Sequence, residues 1–132
     1  MSFIQDMVDV KNILEPLGHD IFLPPNTDKY LSQDGVPENK EEKIQLDIFR
    51  LYFEEIKNAD AILVINKEKS GIINYIGANA LIEMSFAYVL NKTIYLWNPI
   101  PHMNYTDEIE TMKPLIINQD CGKIISSENI KV

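Results

Sequence analysis

Ala61-Ile62-Leu63-Val64-Ile65 is an unbroken apolar run of strand length, and Thr93-Ile94-Tyr95-Leu96-Trp97 is a second, nearly apolar one. Strands that are apolar on both sides must be covered on both faces, which is the condition of a parallel sheet between helical layers. A parallel pair also needs a crossover, usually a helix. Residues 78–90 between these runs supply one, so the pattern predicts an α/β domain.

The rest of the chain fits that frame. Ile4, Met7, Val8, Ile13, Leu14 and Leu17 recur at helical spacing and predict a helix over 4–17, with Pro16 loosening its last turn and Gly18 stopping it. Residues 19–23 predict a short strand ended by Pro24-Pro25. Residues 26–40 form a polar loop, either functional or a solvated connector. Ile44, Ile48, Leu51, Tyr52 and Ile56 form one stripe of a helix over 39–57. A short helix over 106–112, with Thr106 as N-cap, and a last strand over 114–118 complete the order, while 119–132 carries no clear pattern. The length of 132 residues predicts one domain over 1–132, and no linker divides it.

Several function classes fall away. Twelve basic residues stand against twenty acidic ones, with a formal charge of −8 and no basic cluster, which opposes a polymeric nucleic acid partner but not a small nucleotide. No apolar run reaches the roughly 18 residues of a membrane span, and Met1 to Asp6 does not read as a secretory signal. The single cysteine, Cys121, makes no intrachain disulfide and fits a cytoplasmic location. Two histidines, one cysteine and no HExxH or CxxC spacing point away from a metal, and no glycine-rich phosphate loop or GxSxG motif occurs.

Ligands of parallel α/β sheets bind beyond the carboxyl ends of the strands. The helix leaving Ala61–Ile65 carries Glu83, with Asn79 one turn earlier on the same face. This helix is apolar nearly all round and is therefore expected to be buried, which makes its lone carboxylate conspicuous. Glu83 is either a working group, a nucleophile or general base, or a carboxylate that caps backbone N–H groups or pairs with a lysine. Asn74 to Asn79 suits a loop whose backbone approaches a ligand, with Tyr75 either stacked on a base or held in the core. Trp97 and Asn98, at the end of the next strand, either line a base pocket or belong to the core, and His102 is expected to be exposed.

Three segments together resemble the nucleoside 2-deoxyribosyltransferase superfamily, which also holds the nucleoside 5′-monophosphate N-glycosidases. They are Asn58-Ala59-Asp60-Ala61-Ile62-Leu63-Val64-Ile65-Asn66, Gly77-Ala78-Asn79-Ala80-Leu81-Ile82-Glu83-Met84-Ser85-Phe86-Ala87 and Asn91-Lys92-Thr93-Ile94-Tyr95-Leu96. The likeness runs in outline over 4–118 and is specific over 58–96. It implies a flavodoxin-like, doubly wound, three-layer α/β/α fold with a mainly parallel sheet. It also implies attack of Glu83 on the anomeric carbon of a nucleoside or nucleotide, without a cofactor. Tyr75, Gly77, Asn79, Trp97, Asn98 and the N-terminal Ser2 become substrate-binding candidates, and a homodimer or higher homo-oligomer is implied. The alternative is a catalytically silent nucleotide-binding or regulatory module on the same fold.

Three departures stand out. Members commonly have an Asp about six residues before the Glu, where this chain has Gly77. Members often carry an Asp in the helix before the first of these segments, where this chain offers Tyr52 and Glu55, with Asp47 further off. Members also open with a central strand ending in Gly-Ser, and this chain begins where that strand should end. Either that strand lies upstream of Met1 or the sheet is rebuilt. A rebuilt sheet would pair strand 19–23 differently, or fill the gap with a segment such as 123–130 or with a partner chain.

Overall fold

The computed structural model describes residues 4–23, 47–124 and 128–132. In chain order these form α1 (Ile4–Leu14), β1 (Asp20–Phe22), α2 (Ile48–Asn58), β2 (Ala61–Val64), α3 (Ala78–Val89), β3 (Thr93–Leu96), α4 (Thr106–Thr111), β4 (Leu115–Ile116) and β5 (Asn129–Lys131). The strands make one sheet in the order β1-β5-β2-β3-β4, and every strand pairing is parallel. The fold is the flavodoxin-like, doubly wound, three-layer α/β/α arrangement.

Period-2 alternation divides the strand residues between two cores. Ala61, Leu63 and Ile65, with Tyr95, Ile130 and Val132, face a core shared with Val10 and Leu14 of α1. Ile62, Ile94 and Leu96 face the other core, which holds Ile56, Met84, Ala87 and Ile109. A buried Ile or Leu side chain contributes about 1.5–3 kcal/mol relative to an exposed one, so the two cores supply most of the stabilisation.

The place between β1 and β2 is taken by β5, the last of the described strands in chain order. It sets Ile130 opposite Ile21 on one side and opposite Ala61 on the other. Asp60 anchors its start: its carboxylate accepts the Asn129 N–H at 2.9 Å, and its own N–H donates to the Asn129 carbonyl at 2.8 Å. At the far end, the Val132 N–H donates to the Phe22 carbonyl at 2.8 Å. Backbone groups at both ends of the strand therefore have partners.

Some expectations shift. The helix expected over 39–57 cannot run unbroken, because Asp47 sits in the left-handed region at φ 47° and the helix starts at Ile48; residues 39–46 lie outside the described residues. Tyr105, not Thr106, occupies the N-cap of α4. The Thr106 hydroxyl instead accepts the Met103 N–H at 2.7 Å and donates to the Pro101 carbonyl. The apolar helix α3 is not buried all round. Met84 and Ala87 are buried, whereas Tyr88 and Val89 are exposed and border an open groove against Met112 beside α4.

Candidate functional site

Alternation along β5 is what creates the site. Ile130 and Val132 point into the α1-side core, so Lys131 must point to the opposite face, beneath α2 and α3. Its side chain is only 1% exposed. An ammonium so buried needs a counter-charge. It forms an ion pair with the Glu83 carboxylate, whose side chain is 17% exposed. The face of the Tyr52 ring lies 4.3 Å from Lys131 Nζ, and a cation over an aromatic face contributes about 0.5–2 kcal/mol.

Glu55 completes the cluster. It follows Tyr52 by three residues on α2 and so shares its face. Its Oε2 is buried with no hydrogen-bond partner among the described residues. Burial pushes the Glu55 carboxyl above its ordinary range; Lys131 pulls it down, and the negative charge of Glu83 pushes it up. The two carboxylates therefore sit in different settings. Glu83 has an ammonium in contact, whereas Glu55 is partly desolvated, which raises the pKa of its carboxyl.

The sign of the pH effect follows. Glu55 holds its proton more tightly folded than unfolded, so its contribution is full below the ordinary carboxyl range and is lost as pH rises through the folded-state value. Glu55→Gln, which cannot ionise, should therefore gain stability relative to the parent as pH rises from 4 to 8. Urea denaturation of both proteins at the two pH values measures this, and a pH-independent difference would contradict it.

The surrounding loops leave the carboxyl ends of β2 and β3. Asn66, fully buried, ties them together. Its Nδ2 donates to the carbonyls of Asn98 at 2.9 Å and Pro99 at 3.1 Å, and its Oδ1 accepts the Asn98 N–H at 2.8 Å. Asn98 reciprocates by donating from Nδ2 to the Asn66 carbonyl at 2.9 Å. Asn66→Ala strands the Asn98 N–H and two carbonyls, and a cost of roughly 1–3 kcal/mol is expected from the midpoint of urea denaturation. Lys67, the next residue, pairs with Asp6 of α1 at 2.7 Å, which fastens the β2 loop to the helix on the other side of the sheet.

The expected site residues separate into two groups. Glu83 and Asn79 lie on α3, Gly77 is its N-cap, and Tyr75 is half-buried just before it. A Cβ on Gly77 would meet the Tyr75 ring at 3.2 Å, so a side chain there would press on that ring. Lys69 lies over the other part of this loop, 5.4 Å from the Tyr75 centroid. Trp97 packs against the α1-side core, on the sheet face opposite Glu83. Asn98 is taken up by the Asn66 clamp and by Gln119, which donates to its Oδ1 at 2.9 Å. The structure does not bring these last two to Glu83. Ser2 lies outside the described residues.

Lys131 escaped sequence reasoning, although the alternation in Asn129-Ile130-Lys131-Val132 was a usable signal. Among the described residues no group of three or more His, Cys, Asp or Glu is placed to hold a metal ion, and no helix is long and apolar enough to cross a membrane. No family model matches the chain, and neither a curated protein nor a solved structure matches it.

Proposed function

We propose that this protein breaks or transfers the N-glycosidic bond of a (deoxy)nucleoside or nucleotide, with Glu83 as the nucleophile. The observation that carries this reading is the pairing of a partly accessible carboxylate with a wholly buried ammonium, on the helix that leaves the carboxyl end of β2. A carboxylate placed in this way can form a glycosyl ester and divide one displacement into two. On this reading Asn79, one turn before it, would meet a sugar hydroxyl and Tyr75 the base. The sequence resemblance supports the same chemistry. It also implies a homodimer or higher homo-oligomer that acts without a cofactor, and the single cysteine fits a cytoplasmic location.

A second reading is a silent nucleotide-binding or regulatory module. The ion pair itself favours it, because Lys131 already occupies the carboxylate that would attack. Chromatography of free base separates the two. The enzyme reading expects base release from deoxynucleosides or their 5′-monophosphates by the parent protein, and loss of that release in Glu83→Gln. No release by the parent overturns the enzyme reading.

A further inference from the structure

We propose that the groove between α3 and α4 is a docking surface for a cationic amphipathic helix of another protein. The surface lies apart from Glu83. Ser85 lines it and follows Glu83 by two residues, which at about 3.6 residues per turn sets the two on opposite sides of α3. The occupant is therefore independent of the glycosidic chemistry.

The groove combines two features. Its apolar side comes from Tyr88 and Val89, in the last turn of α3, and from Met112, the C-cap of α4. Tyr88 is 47% exposed and Val89 76% exposed. A single exposed valine is ordinary, but apolar side chains gathered along one groove mark a contact surface. Its polar side comes from Asp107 and Glu108, both exposed in the first turn of α4. Two carboxylates thus line the groove, and no basic side chain among the described residues does. Ser85 adds no demand of its own, because its hydroxyl donates to the Leu81 carbonyl at 2.9 Å.

The charge selects the occupant. Asp107 and Glu108 repel a nucleic acid or an anionic lipid surface, and the whole chain carries a formal charge of −8. A second copy placed groove to groove would bring Asp107 and Glu108 of both copies together, and like charges in one contact oppose binding. Lysine or arginine beside an apolar stripe meets both features at once. The walls decide the shape of that segment. Both are helices, whose backbone groups are bonded within the helix and offer no ladder to an extended strand. A helix satisfies its own backbone and lays an apolar stripe at i, i+3, i+4 and i+7 into such a groove. Because α4 spans only 6 residues, the contact is short and the complex weak and reversible.

The full chain is titrated into a fluorescein-labelled peptide of about 15 residues, long enough to hold a helix, with leucines at helical spacing and lysines elsewhere. Fluorescence anisotropy should show saturable binding that weakens as salt rises. The same residues in scrambled order, without an apolar face, should bind about tenfold more weakly, and so should a leucine–glutamate peptide. Val89 is a surface position, so Val89→Ser should leave folding intact. It should weaken the leucine–lysine peptide about five- to tenfold. Asp107→Asn with Glu108→Gln should weaken it by a similar factor at low salt and flatten the salt dependence. Amide NMR shifts of the parent on adding the peptide should centre on residues 85–89 and 107–112, which locates the contact even if a variant does not fold. No binding by the parent, equal binding of the scrambled peptide, or shifts centred elsewhere overturns the docking surface. Dimerisation of the parent that Val89→Ser abolishes also overturns it, and assigns the groove to a second copy.

Discussion

Glu83→Gln should lower base release on the order of 10⁴-fold or more, the scale seen when a nucleophile is removed from an enzyme that still binds its substrate. The amide is the informative substitution here. It keeps the shape of the side chain, and its oxygen can still accept from the Lys131 ammonium. Glu83→Ala would instead strand Lys131, whose side chain is 1% exposed, and would confuse lost chemistry with lost folding. Release is followed by chromatography, and urea denaturation of the same preparation checks that the variant is folded. If the parent is active and Glu83→Gln is equally so, Glu83 is not the nucleophile. Asn79→Ala provides the contrast: loss of a contact to a sugar hydroxyl should cost far less than loss of the attacking group.

Lys131→Met should cost about 3–5 kcal/mol of folding stability, the scale for removing one partner of a buried ion pair. The methionine fills similar volume, so the loss comes from Glu83, left as a largely buried carboxylate without its cation, and from the lost contact with the Tyr52 face. Pairing Lys131→Met with Glu83→Leu removes the stranded charge and should recover most of the loss, since buried pairs exchanged for apolar residues are often neutral or better. Denaturant midpoints of the parent, the two single variants and the double variant give the coupling energy directly. Additive effects within about 0.5 kcal/mol would mean that the pair is not a coupled unit.

The architecture was legible because β2 and β3 are apolar on both sides and a helix lies between them. Those features require a parallel sheet whatever else the chain does. The position of Glu83 followed from the same rule, since a helix leaving a parallel strand begins at the ligand edge. The interior strand β5 was harder. Asn129-Ile130-Lys131 is three residues long, ends in a charge, and is stable as a strand only because β1 and β2 flank it and Asp60 anchors it. Propensity reads short strands poorly because tertiary neighbours decide them. The partner of Glu83 was hidden for the same reason: 48 residues separate Lys131 from it, and only the sheet order brings them together. The roles expected of Trp97 and Asn98 rested on their place at a strand end. Face and hydrogen bonding put Trp97 on the other side of the sheet and spend Asn98 on Asn66. Gly77 gains a physical reason it lacked in the sequence, because a side chain there would press on the Tyr75 ring.

If Glu83 attacks the anomeric carbon, the glycosyl ester can be trapped. The protein is incubated with a deoxynucleoside, quenched in acid, digested and examined by peptide mass spectrometry. A deoxyribosyl increment is expected on the peptide containing Glu83, and none in Glu83→Gln. Base release without any increment on that peptide, or an increment mapped to another residue, would contradict attack by Glu83.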